Sequence, residues 1–362
     1  MKINLINADF IYRILTPVVL SILIFAFPDV LNGQTGGHAY QFLEMANSAR
    51  VAAIGGIASS NDDDDLNFAF HNPSLLSTDM HHRLVLNYVD YYAGINYGYA
   101  GFATKMPKKG TFAGGIHYLN YGRFQGADEN GILTGTFRAA DYSVNFYYSR
   151  PVDSILTVGI AVKSIYSDLE AYHSTAIAFD AGISYRNQDK NFSAGLVLRN
   201  IGWQMSAYYP FGDREPLPFN IVAGISQGLT YAPLKFYISA EHLEKWDLRY
   251  DPDLSGSEPG YFQENQKEGN FDIFLDKFMR HIVAGAEFSP GKNLTFRIGY
   301  NYRRRQEMKI SSKPGMVGFS WGIGIKISKF RIDYGRSSWH LAGGVNYFSL
   351  SMNIDELNKK FW

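Results

Sequence analysis

Residues 316–336, MVGFSWGIGIKISKFRIDYGR, carry a large apolar side chain at every second position: Val317, Phe319, Trp321, Ile323, Ile325 and Ile327. Between them stand Gly318, Ser320, Gly322, Gly324 and Lys326. A period of two puts the first set on one face of a β-strand and the second on the other. In a water-soluble sheet the apolar face meets a second apolar layer, and the opposite face is charged and solvated. A face made mostly of glycine is too small to serve as a good solvent face. It suits the inside of a closed barrel, where bulk would collide with whatever fills the lumen, while the aromatic face meets lipid. Backbone groups in lipid must all be paired, and closure alone leaves no sheet edge.

The same alternation recurs along most of the chain. Residues 174–185 set Thr175, Ile177, Phe179, Ala181, Ile183 and Tyr185 against Ser174, Ala176, Ala178, Asp180, Gly182 and Ser184. Residues 294–303 set Leu294, Phe296, Ile298, Tyr300 and Tyr302 against Thr295, Arg297, Gly299, Asn301 and Arg303. Similar runs begin near residues 83, 95, 111, 138, 154, 173, 191, 217, 233, 279, 293, 316, 329 and 343. Their lengths suit tilted strands that cross a bilayer.

The connections provide a second, independent pattern. Those after even-numbered runs are tight: PKKG (107–110), RPVD (150–153), RNQDK (186–190), YAPL (231–234), SPGK (289–292) and little more than Ser328. Long ones, at 123–137, 202–216, 244–278 and 305–315, all follow odd-numbered runs. Outer-membrane barrels sort their loops this way, with short periplasmic turns and longer external loops. The expected fold is all-β: a transmembrane antiparallel β-barrel of about fourteen strands over residues 83–362, with both termini in the periplasm.

Composition agrees. The 362 residues include 35 Gly, 25 Tyr and 26 Phe, a profile for many strands with tight turns. Thirty-four basic residues balance 34 acidic ones, so net charge gives no argument for nucleic acid as a partner. The absence of cysteine removes disulfides, thiol catalysis, Cys-ligated zinc and a lipoprotein anchor. At the start, Lys2 and Arg13 precede the apolar run 14–27 and the small, polar PDVLNGQTGG. Residues 1–33 read as a cleaved secretory signal peptide. A membrane anchor is the alternative, although the run is short for a bilayer core of about 30 Å.

Residues 34–82 break the alternation. FLEMANSARVAA (42–53) has helical spacing, followed by Gly55-Gly56, the acidic run 62–65 and HNPSLLS (71–77). The expected role is a helical plug inside the barrel that closes its periplasmic end. SARVAAIGG (48–56) and the downstream NPSLL (72–76) resemble the entry segment of the FadL-like superfamily, which are fourteen-stranded barrels with an N-terminal plug. Within that superfamily, HAYQFLEMANSARVAAIGG, RHIVAGAEFSPGKNLTFRIGYNYRRRQEM and GFSWGIGIKISKFRIDYGRSSWHLAGGVNYFSLSMNI resemble the PorQ-like accessory barrels of the type IX secretion system of Bacteroidetes. That resemblance implies a non-enzymatic role. Such proteins hold a PorZ-like surface protein in an attachment complex with PorU- and PorV-like components, which trims secreted cargo and links it to lipopolysaccharide.

Patterns suggestive of chemistry have simpler readings. GISQG around Ser226 and GFSWG around Ser320 match a nucleophile elbow, but both serines fall in alternating strands rather than on a strand-to-helix turn. SPGK (289–292) reads as a hairpin turn. Asp62–Asp65 could hold calcium, but consecutive aspartates cannot all face one ion, so a solvated acidic loop is expected. His81-His82 has no partner at zinc spacing in the sequence. No catalytic residue, cofactor or metal is expected. Phe271, Phe274, Leu275 and Phe278 repeat at helical spacing in the longest connection, as a partner-docking helix or as a lid over the barrel mouth. Arg303, Arg304 and Arg305 are candidate contacts for lipopolysaccharide phosphates, or ordinary loop bases. Two functions compete: a secretion-complex scaffold, and a FadL-like transporter of hydrophobic compounds.

Overall fold

The computed structural model describes residues 38–61, 63–209, 212–249, 270–309, 315–340 and 343–357. The expected signal peptide lies outside the described residues. Fourteen antiparallel strands form one closed barrel, each bonded to its neighbours in sequence. They are β1 (Arg83–Asp90), β2 (Asn96–Met106), β3 (Gly110–Ala127), β4 (Leu133–Pro151), β5 (Leu156–Leu169), β6 (Tyr172–Asn187) and β7 (Phe192–Ser206). The circuit continues through β8 (Asn220–Gly228), β9 (Leu234–Ala240), β10 (Ile282–Phe288), β11 (Leu294–Asn301), β12 (Phe319–Ile327), β13 (Phe330–His340) and β14 (Gly343–Asn353). β1 closes the circuit against β14, from Arg83↔Asn353 to Asp90↔Asn346.

The faces sort as the alternation requires. On β4, Tyr142, Val144 and Phe146 are exposed while Asp141, Ser143, Asn145 and Tyr147 are buried. On β12, Phe319, Trp321, Ile325 and Ile327 point outward. The wall is therefore apolar outside and polar inside, the arrangement of a barrel whose solvent is lipid. Among the described residues no helix is long and apolar enough to cross a membrane.

Four local expectations are corrected. Residues 123–137 are not a loop but the tip of a long hairpin, paired from Arg123↔Arg138 to Ala127↔Leu133, with Phe124 and Phe137 stacked at 5.3 Å. β7 likewise continues to Ser206 against β6. Tyr302 and Arg303 leave β11 because Asn301 caps a helix, its side chain accepting the Arg304 N–H at 2.9 Å. Val317 is buried rather than outward, since Gly318 at φ 86° turns the chain before β12 begins.

Residues 39–61 and 63–77 pack inside the lumen, and residues 78–82 lead out to the start of β1. The helical spacing over 42–53 resolves into a 3-10 turn (Gln41–Glu44) and a separate helix α1 (Ala49–Ala53). The break comes where Met45 is extended and the Ser48 side chain caps α1 by accepting the Val51 N–H. Three further 3-10 turns follow: Leu66–Phe70, Pro73–Leu75 and Thr78–Met80. The plug is not confined to one end. Asn72 and Ser74 lie near the tight-turn end of β5 and β6, whereas Tyr40 reaches Ser174 near the opposite end of β6.

Candidate functional site

On the β10–β13 side, the plug touches the wall backbone to backbone. A methyl group at Gly285 would come within 2.5 Å of the Ile54 carbonyl oxygen, and one at Gly335 within 2.5 Å of that of Ala49. On β12, Gly322 leaves room for Ala53 of the plug and Gly324 for the Arg297 and Asp333 side chains of the neighbouring strands. Ser320 donates to the Ala53 carbonyl at the C-terminus of α1, and Ser337 adds a second donor to the Ala52 carbonyl, which also accepts the Gly55 N–H.

This approach delivers Arg50 of α1 to a buried ionic chain. Its Nε and Nη2 donate to the two oxygens of Glu287 at 2.7 and 2.8 Å, a bidentate pair. Arg297 also donates to Glu287 at 2.7 Å and, on its other side, to Asp333 at 2.7 Å. Asp63 and Asp65 accept from Arg50 at 2.6 and 3.2 Å. Asp64 pairs with Arg83. The solvated acidic loop expected at 62–65 is corrected at Asp65, which is buried against Arg50, whereas Asp63 and Asp64 pair with Arg50 and Arg83 while their side chains stay partly exposed. Asp62 lies outside the described residues.

The opposite wall, β2–β5, is lined with rings. Phe42 and Phe70 of the plug pack on His117 at 5.2 Å each, and Phe70 meets Tyr99 edge-on at 5.3 Å. Tyr97 donates to the Ala46 carbonyl at 3.1 Å. Behind them Lys163 pairs with Asp180 at 2.7 Å, fully buried, and Arg199 donates to the Leu43 carbonyl at 3.0 Å.

Each end of the barrel has a cavity. At the tight-turn end, about 390 Å³ lies among Arg50, Asp63, Lys235, Glu287, Lys326 and Arg331. At the long-loop end, a cavity of about 590 Å³ is lined by Tyr172, His173, Met205, Tyr208, Tyr209 and Arg214. The second abuts the plug, since Tyr208 packs on Tyr40 at 6.4 Å. It also lies beside a change in the wall. β7 pairs with β8 only as far as Arg199↔Asn220, and beyond it the chain turns inward to bury Leu217 against the plug.

The long-loop end also holds the candidate residues. Phe271, Phe274, Leu275 and Phe278 form an exposed stripe on α2 (Asn270–Arg280), with Phe274 5.6 Å from Trp246. Its polar side faces the protein: Asp276 accepts from Tyr302 at 3.0 Å, and Lys277 pairs with Asp247 at 2.7 Å. Arg303, Arg304 and Arg305 belong to α3 (Tyr302–Met308) and are engaged within the protein. Arg303 pairs with Glu241 at 3.2 Å, Arg304 covers the Trp339 ring at 4.0 Å, and Arg305 donates to the Gly315 carbonyl at 2.8 Å. Nearby, burial works against charging His242, but Glu244 at 3.0 Å, with Glu241 and Glu44, raises its pKa above the ordinary imidazole value. Alternation could not have found Arg50 or Glu287 as partners, because they are far apart in sequence and each reads as an ordinary charged residue.

The two serine motifs lie in strands. Ser226 is buried in β8, and Ser320 in β12 donates to the plug. Ser289 starts the turn between β10 and β11, its hydroxyl 3.1 Å from that of Thr295.

No protein-family model and no curated protein matches the sequence. Solved structures do match in shape. The toluene transporter TbuX of Ralstonia pickettii aligns with a TM-score of 0.50 at 14% identity, over 86% of this chain and 99% of that one. The toluene transporter TodX of Pseudomonas putida gives 0.50 at 12% identity, over 85% and 96%. A deletion mutant of TodX, described as a monoaromatic hydrocarbon channel, gives 0.52 at 12% identity, over 85% and 99%. At such identities the likeness speaks for the fold alone: this chain shares with those proteins a closed antiparallel barrel, here of fourteen strands.

Proposed function

We propose that the protein admits a small hydrophobic compound across the outer membrane, receiving it at the long-loop end. The carrying observation is the aromatic cavity of Tyr172, Met205, Tyr208 and Tyr209, which opens outward and reaches the plug at Tyr40. Tyrosine and methionine faces suit a flat aromatic guest, and His173, Ser206 and Arg214 in the same lining supply polar groups that would orient it. The fold's similarity to toluene transporters supports the same reading. In this reading the signal peptide directs export, the tight turns and both termini are periplasmic, and the long loops face outward. Uptake of labelled toluene by cells expressing the protein tests it. Uptake above the empty-vector control, reduced in a Tyr208→Ala/Tyr209→Ala variant, is expected. Uptake equal to the control defeats the reading.

A second reading is favoured by α2, whose apolar stripe points away from the protein. As a type IX secretion scaffold, the barrel would hold a PorZ-like surface protein on Phe271, Phe274, Leu275 and Phe278, with PorU- and PorV-like components nearby. Lipopolysaccharide phosphates would then compete with Glu241 for Arg303 at the same rim, beside Arg304 and Arg305. Stoichiometric recovery of one exported surface protein with the detergent-solubilised barrel, lost in Phe271→Ser/Phe278→Ser, supports this reading. Recovery of the barrel without such a protein counts against it.

A further inference from the structure

We propose that His81, His82 and Asp355 form a binding site for a divalent transition metal, zinc being the probe, at the seam where β1 meets β14. His81 and His82 immediately precede the first strand, and Asp355 follows the last. Closure of the barrel alone brings them together. One donor atom from each side chain lies within 4.8 Å of the others. His82 Nδ1 is already 2.7 Å from Asp355 Oδ1, and the two imidazoles lie 3.7 Å apart between centroids.

The backbone beneath the three side chains is fixed from several directions. The His82 N–H donates to the Ala103 carbonyl at 2.8 Å, and the His82 carbonyl accepts the Ile354 N–H at 2.9 Å. Asn353 joins both sides, its amide donating to the His81 carbonyl and its Oδ1 accepting the Asp355 N–H, each at 2.9 Å. Only the side chains need to close in to reach the metal–ligand distances of about 2.0–2.2 Å that zinc requires. The cation takes the place of the proton shared by His82 and Asp355, which passes to the other ring nitrogen or to water. His81 Nδ1 accepts the exposed Lys105 amide at 3.1 Å, a bond that water replaces when the lone pair turns to a metal.

Two neutral imidazoles and one carboxylate suit zinc, nickel or copper, whereas magnesium and calcium favour all-oxygen sites. Three protein ligands leave the fourth tetrahedral position to water. The side chains of His82 and Asp355 are 36% and 52% accessible, at the rim where the first strand begins and the last one ends. A bound ion would link the residues before β1 to those after β14, a connection absent from the unfolded chain, and so would stabilise the closed barrel.

The test uses the full chain without a histidine tag, in detergent micelles, titrated calorimetrically with zinc chloride and, separately, with magnesium chloride. One zinc per chain is expected, with magnesium silent. Affinity should fall at least about tenfold in Asp355→Ala and in His81→Ala. Saturating zinc should raise the unfolding temperature, and a chelator should reverse the rise. Failure to saturate by about 100 µM, on the order of 5 kcal/mol of binding, overturns the proposal. So does binding that neither substitution weakens, which would place zinc elsewhere. If a variant fails to fold, the wild-type unfolding temperature with and without chelator decides, and no difference between them overturns the site.

Discussion

The two walls that enclose the plug hold it by opposite means. Along β10–β13 glycine and serine line the wall where the plug touches it, so α1 and Ile54 lie directly on the strand backbone and Arg50 reaches the buried Glu287. Along β2–β5 the wall is thick with rings, and Phe42 and Phe70 rest on His117 and Tyr99. The thin wall gives charge pairing at fixed geometry; the thick wall gives area and dispersion. A buried ion pair gains little over a well-packed apolar core, but it tolerates the loss of one partner badly. An aromatic wall loses stability more gradually as contacts are trimmed. The glycine wall therefore sets where the plug sits, and the ring wall supplies bulk packing around it.

That contrast can be broken in order of expected effect. Glu287→Ala leaves Arg50 and Arg297 facing each other without their shared carboxylate. A loss of about 3–5 kcal/mol in denaturant unfolding is expected, as for other broken buried pairs. Gly285→Val adds bulk where α1 already touches the strand. It should cost about 1–3 kcal/mol and speed proteolysis of residues 38–82 while the barrel's own strands stay protected. Tyr97→Phe on the ring wall removes the hydroxyl's bond to Ala46 and its contact with Tyr347, neither of them ionic, and should cost about 1 kcal/mol. If Tyr97→Phe proves as damaging as Glu287→Ala, the contrast between the walls is wrong.

The smallest effect is one of pH. Because the folded-state pKa of His242 is raised, its charge contributes stability that is fully present below the ordinary imidazole value of 6.5. That contribution is lost as pH rises through the raised value. His242→Gln should flatten this part of the unfolding-midpoint profile; an unchanged slope would remove His242 from the account.

Much of this architecture is local enough to read from the chain. Alternation depends on neighbouring residues, so the fourteen strands, their outward faces and the tight turns at one end could all be placed from sequence. The glycine stretch of β12 could be assigned to a crowded interior for the same reason. The errors came where pairing extends or ends through contacts made elsewhere. Residues 123–137 look like a polar loop until Phe124 meets Phe137 across the hairpin. Tyr302 continues the alternation until Asn301 caps a helix.

What sequence determined, then, was the barrel; what tertiary structure decided was the identity of partners inside it and at its seam. Arg50 and Glu287 are separated by 237 positions, and His82 and Asp355 by 273. Periodicity says which way a side chain points but not what stands opposite, because that depends on register summed around the whole closed sheet. The acidic run 63–65 shows the difference: solvated by composition, it is neutralised by arginines once the plug is in place.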